Sequence, residues 1–141
     1  LGSLGLKPGP WLKTLPSDQI TIIDGVQHDS DKLRSELLVQ STGDSMAFLT
    51  DFIAEGDEQA RIADKIAGVG TLICECQYAA ADIEHARRNA HMTTSWVGEL
   101  AKLANPQRLL LTHFSERYRP SEWDVMVEEV RQIFPCTEVA G

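Results

Sequence analysis

From Met46 onward the chain alternates short apolar runs with longer amphipathic segments, and that alternation leaves few folds open. Residues 46–50, 71–74 and 108–112 read as strands, the last with three consecutive leucines that suggest a buried strand. Residues 58–67, 80–89 and 93–104 have helical spacing. Gly68 and Gly70 end the first of these, a Thr-rich cap opens the third, and Asn105-Pro106 stops it. Ser121 is placed to cap a last helix with Trp123, Val127, Val130 and Ile133 on one side, and 136–140 reads as a final strand. Strands separated by such helices are βαβ units, so the expected class is α/β.

The region before Met46 reads differently. Residues 1–16 are rich in Gly and Pro and are expected as an irregular lead-in. Residues 19–24 read as a short strand closed by Gly25, and Asp29 or Ser30 can cap a short helix through Lys32, Leu33 and Glu36. The apolar runs 37–40 and 46–50 flank Ser41-Thr42-Gly43-Asp44-Ser45 and are expected to pair as a hairpin. At 141 residues and 15.6 kDa, one domain spanning 1–141 is expected.

Composition narrows the functional classes. Hydrophobic residues at 43% and charged residues at 24% describe a globular chain, not a disordered one. A net charge of −8 argues against broad electrostatic capture of nucleic acid by this chain alone. No apolar run approaches the ~20 residues of a membrane span, so no membrane partner is expected. Gly5, Pro8, Gly9 and Pro10 interrupt any signal-peptide core. Three cysteines are too few for a disulfide framework, which points to a reducing cytoplasm.

The polar residues that follow the strands carry the chemistry. Asp51 follows the first strand of the alternating region, Glu75 the second and His113 the third, while His91 stands just before the cap at Thr93. In open α/β sheets the ligand crevice lies outside the carboxyl ends of the strands, so these side chains are expected along one edge. Taken singly, Asp51 can cap a turn, Glu75 can be a solvated carboxylate and His91 a surface or capping residue. His113, directly after a hydrophobic strand, is the least easily explained that way. Cys74 and Cys76 read as core thiols, because paired zinc cysteines usually have two or more residues between them. Arg87-Arg88 read as solvated surface, and Arg117-Tyr118-Arg119 as either phosphate-binding or structural. His28 and His85 are expected at the surface. Trp11, Trp96 and Trp123 are expected to be packing anchors, because nothing basic interleaves them.

Leu111-Thr112-His113-Phe114-Ser115-Glu116-Arg117-Tyr118 resembles the Leu-Thr-His-x-Ser-x-Arg-Tyr segment of the ribonuclease Z branch of the metallo-β-lactamase fold. Upstream, Leu72-Ile73-Cys74-Glu75-Cys76 resembles that family's Leu-Ile-His-Glu-Ala strand end, and His91-Met92-Thr93 its His-Ser-Thr motif. Phe48-Leu49-Thr50-Asp51 resembles the strand leading to its bridging aspartate. Leu6-Lys7-Pro8-Gly9-Pro10 is similar to its Pro-rich segment just after mid-chain. The chain departs from the family pattern at Thr50-Asp51-Phe52, where Gly-Asp-Thr is usual. It departs again at Cys74 and Cys76, where a histidine and an alanine are usual.

The resemblance implies a four-layer αββα sandwich of which this chain is the second βα half. It implies that Asp51 bridges two zinc ions and His113 ligates one, and that Glu75 with His91 passes a proton to the leaving 3′ oxygen of a tRNA precursor. Two such ions can activate a bridging water and hold the phosphate oxygens. Arg117 and Tyr118 are then expected to face the substrate phosphate or to brace the loop that holds His113.

The family's His-x-His-x-Asp-His run, which supplies most zinc ligands, is not among these residues. An N-terminal half is therefore the expected partner, and Leu1 in place of a methionine suggests a piece of a longer protein. The chain alone is expected to be inactive, to bind zinc weakly, and to form a homodimer over the sheet face its missing half would cover. Two alternatives stand beside this reading. One is a hydrolase of the same fold acting on another small ester or phosphodiester, and the other is a non-catalytic half-fold serving as an assembly module.

Overall fold

The computed structural model describes residues 4–39, 41 and 43–140. Where one domain is expected, contacts divide the chain into two compact units, Leu1–Gly43 and Asp44–Gly141. The physical reason is two separate apolar clusters.

The first unit gathers Trp11, Leu15, Ile23 and Leu33. A one-turn helix, α1 (Trp11–Thr14), lies inside the stretch expected to be irregular. Strands β1 (Ile20–Ile23) and β2 (Val26–Asp29) form an antiparallel hairpin with Ile23 opposite Val26. Its turn residues Asp24 and Gly25 both have positive φ, 51° and 77°, the requirement of a two-residue turn that matches strand twist. β2 escapes sequence reading because Val-Gln-His-Asp carries a single apolar residue. Asp29 caps α2 (Ser30–Leu37), accepting from the backbone N–H groups of Asp31 at 2.9 Å and Lys32 at 3.3 Å. The Arg34 guanidinium donates to the carbonyls of Leu15 and Asp18, both at 2.7 Å, and ties α2 to the segment after α1.

The hairpin expected between 37–40 and 46–50 does not form. Leu37 ends α2, Gln40 and Thr42 lie outside the described residues, and β3 (Met46–Leu49) pairs in parallel with β4 (Thr71–Glu75). Turn residues between two apolar runs permit a hairpin, but β4 offers β3 a partner along its whole length and decides the pairing.

The second unit is a parallel sheet in the order β3-β4-β5-β6, with β5 at Arg108–Thr112 and β6 at Thr137–Val139. The crossover helices are α3 (Asp57–Lys65), then α4 (Ile83–Asn89) with α5 (Thr94–Ala104), then α6 (Pro120–Arg131). The period of two along each strand sends Leu72, Cys74, Leu109 and Leu111 to one face, where all are fully buried. They pack with Val97, Leu100, Ala101 and Ala104 of α5 and Met126, Val127 and Val130 of α6. Each buried leucine contributes about 1.5–3 kcal/mol.

Alternate positions look the other way. Met46 and Phe48 are 66% and 59% exposed, and Ile73 and Leu110 are half-buried. β5 is therefore buried on one face only, which corrects the reading drawn from its three leucines. Cys74 and Cys76 are core thiols as expected, and burial pushes both upward from the ordinary thiol range.

Two helix details carry a physical lesson. α6 starts two residues earlier than a cap at Ser121 would have it, with Arg119 as the capping position. Pro120 takes the first helical position with its φ already set, and the Glu122 carboxylate accepts from the Arg119 backbone N–H at 2.8 Å. On α5, a Cβ at Gly98 would lie 2.9 Å from Ile133, so the segment after α6 approaches α5 as closely as glycine allows. Among the described residues no helix is long and apolar enough to cross a membrane.

Candidate active site

Asp51, Glu75, His91 and His113 come together at the carboxyl ends of β3, β4 and β5, with one ligand-type atom of each within 4.8 Å of all the others. Asp51 leaves β3 at φ 54° and His113 leaves β5 at φ 57°. His91 follows α4 through Ala90, itself at φ 59°. Left-handed backbone costs a non-glycine residue about 1–2 kcal/mol, so these three turns persist only because their surroundings hold them.

Glu75 supplies much of that hold. It is the last residue of β4, and its side chain is 0% exposed. Oε2 accepts from the backbone N–H of Asp51 at 3.0 Å, and Oε1 from those of Phe52 at 3.3 Å and Met92 at 3.1 Å. His91 Nδ1 lies 2.9 and 3.1 Å from the two oxygens, and His113 Nδ1 lies 3.0 Å from Oε2. A carboxylate can only accept, so both imidazoles turn Nδ1–H toward it and keep Nε2 for other work. The reading of Glu75 as a solvated side chain is thus overturned: five donors surround it.

The remaining side chains differ in access. His91 is 17% exposed, His113 39% and Asp51 71%, and Asp51 Oδ1 lies 3.8 Å from His113 Nδ1. The two histidine rings meet edge to face with centroids 5.4 Å apart. Further contacts tie the site's loops together. Met92 Sδ accepts from the Ala54 N–H at 3.3 Å. Arg87, expected as plain surface, grips Glu55 with two bonds of 2.8 and 3.1 Å, which joins the loop after Asp51 to the helix that leads into His91. The same grip lowers the Glu55 pKa. Gln77 was not singled out from sequence, yet its Nε2 stands 3.2 Å from His113 Nε2.

Beyond His113 the loop is stapled in place. Phe114 stacks on Trp123 with centroids 5.1 Å apart. The Tyr118 hydroxyl donates to the Asp82 carboxylate and accepts from the Ala79 N–H at 3.1 Å. Burial first, and Asp82 second, push the Tyr118 phenol up to about 12. Arg117 Nη1 lies 3.9 Å from the same Asp82 carboxylate. These contacts brace the loop against a short 3-10 turn at Ala80–Asp82.

The donor set can be tested against a divalent ion. The Asp51 carboxylate takes one side-chain bond, from Thr50 at 3.3 Å, and His113 Nε2 meets only an amide. Both fit as ligands. The Glu75 oxygens are already taken up by five donors and do not. His91 Nε2 is open on the same terms. With His91 set aside as the proton-transfer residue that the resemblance implies, the two remaining ligands are one fewer than the three protein ligands a catalytic zinc usually takes.

No protein-family profile matches the chain. Ribonuclease Z of Deinococcus radiodurans is 44% identical over 141 residues, which is 99% of this chain and 43% of that protein. The chain matches the C-terminal half of ribonuclease Z. The ribonuclease Z of Geobacillus kaustophilus is 34% identical over 146 residues and that of Anoxybacillus flavithermus 32% over 142. The chain thus spans less than half the length of the ribonuclease Z relatives it matches. Among solved structures, the metallo-β-lactamase fold protein YhfI from Bacillus subtilis superimposes with a TM-score of 0.56 at 23% identity. It covers 67% of this chain and 36% of its own, which identifies the fold as metallo-β-lactamase-like.

Proposed function

We propose that this chain is the second βα half of a zinc-dependent phosphodiesterase of the ribonuclease Z kind, one that cleaves the 3′ trailer from tRNA precursors in the cytoplasm. The observation that carries the reading is the convergence of Asp51, Glu75, His91 and His113 on one sheet edge in a chain so similar to ribonuclease Z. Asp51 and His113 hold metal together with ligands from the rest of the protein. Bound zinc supplies a water acidic enough to ionise near neutrality and a charge that draws in phosphate oxygens.

His91 is the proton donor. Glu75 fixes its Nδ1, so Nε2 points away from the buried carboxylate and can protonate the leaving 3′ oxygen. A ring that donates from Nε2 while Nδ1–H stays on Glu75 carries a proton on each nitrogen, and the carboxylate orients it throughout. Glu75 itself is too enclosed to reach substrate. Arg117, 40% exposed beside Asp82, is available to a substrate phosphate, with Tyr118 setting the loop that carries it.

With two ligands on this chain, the isolated polypeptide is inactive. Within the longer protein the remaining half covers the face bearing Met46 and Phe48. In the isolated chain a second copy takes that place, so light scattering should read a dimer, and a stable monomer would count against this account of the exposed face. The full-length protein decides the main reading through zinc analysis and a precursor-tRNA cleavage assay. His113→Ala is expected to lose both bound zinc and cleavage, and a variant that kept both would overturn the assignment.

A further inference from the structure

His113 is held at both ring nitrogens. Nδ1 donates to Glu75 Oε2 at 3.0 Å, and the Gln77 amide nitrogen stands 3.2 Å from Nε2. A neutral imidazole carries one N–H and one bare nitrogen. Fixing the proton on Nδ1 leaves Nε2 as an acceptor, and the Gln77 amide is a donor aimed at it. The nitrogen that His113 would offer a metal is therefore the one that Gln77 occupies.

The Gln77 backbone cannot drift from this position. Cys76 before it and Tyr78 after it are buried. Their N–H groups donate to the carbonyls of Thr112 at 2.8 Å and Met92 at 3.2 Å, and the Gln77 carbonyl accepts from Ser115 at 3.2 Å. The side chain is less confined, because Gln77 is only half-buried. It has the rotamer freedom to swing off His113 while its Cα stays put.

We infer that Gln77 is a gate on His113: its amide and an incoming metal ion compete for the same ring nitrogen, and the amide must swing aside before His113 can ligate. This rests on the reading of His113 as a zinc ligand and deepens it. Gln77 acts as a positioning residue, tuning how tightly the site holds its ion and touching no substrate.

The test is a titration of zinc alone into the full-length apoprotein, for wild type, Gln77→Ala, Gln77→Met and His113→Ala. Removing one competing hydrogen bond should tighten zinc binding roughly two- to ten-fold in both Gln77 variants. Gln77→Met keeps the side-chain length without the amide, so agreement between the two separates competition from a packing effect, and a thermal melt of each variant reports folding. Unchanged affinity in folded variants overturns the gate. Weaker binding overturns it too, and would make the amide a support for the ion. If His113→Ala binds zinc as tightly as wild type, the ligand assignment itself fails and the gate falls with it, an outcome distinct from a failed gate at a true His113 site.

Discussion

Glu75→Gln should lower the stability of the second unit by about 2–5 kcal/mol, although it changes one oxygen for one nitrogen. The reason is the direction of the hydrogen bonds. The carboxylate accepts at Oε2 from Asp51 N, His91 Nδ1 and His113 Nδ1, and at Oε1 from Phe52 N, Met92 N and His91 Nδ1. An amide has one accepting end. Whichever way it turns, its NH2 faces at least one backbone N–H that cannot turn away, and each such buried donor left without an acceptor costs about 1–3 kcal/mol. The histidines can relax by moving a proton between ring nitrogens, but the backbone cannot. Urea unfolding of the variant measures the loss. A change below about 1 kcal/mol would mean that the bonds around Glu75 contribute little net free energy and that other contacts hold the left-handed turns at Asp51 and His113.

His91→Ala in the full-length protein should cut the cleavage rate by about 10²- to 10⁴-fold, the usual worth of a positioned proton donor, while zinc content stays unchanged. The asymmetry with His113 follows from geometry. Both rings spend Nδ1 on Glu75 and both approach Asp51, but only His113 comes within 4 Å of its carboxylate, through Nδ1 at 3.8 Å, and its ring is the more exposed of the two. Single-turnover cleavage alongside metal analysis separates the two roles. If His91→Ala released zinc in proportion to lost activity, His91 would be a ligand and the assignment of proton transfer would fail. The stability cost should be smaller than for Glu75→Gln, because the Met92 N–H keeps its acceptor when the imidazole is removed.

Much of the alternating region was legible from residue order. Apolar runs at 71–74 and 108–112 and the helical spacing at 93–104 are local signals, and the structure places β4, β5 and α5 there within a residue or so. The polar residues directly after each run were legible for the same reason: a strand of known direction in an α/β sheet delivers its next residue to the carboxyl edge. Reading failed where two local solutions were open. The runs at 37–40 and 46–50 satisfy a hairpin pattern, yet β3 takes a partner 25 positions along the chain, as the Met46–Thr71 pairing shows.

What the sequence by itself determined is therefore the α/β class, the order of its elements in the second unit, and the identity of four residues that belong at one edge. What only the tertiary structure decided is how those four work together. Taken singly, Glu75 could equally be read as a solvated carboxylate, because its donors come from residues 24, 23, 17 and 38 positions away, at Asp51, Phe52, Met92 and His113. The amide that competes for His113 lies 36 positions from it. Periodicity reports which face of an element is buried, but a carboxylate is buried or solvated according to whether distant backbone donors arrive to replace water, and that exists only once the strands have packed side by side.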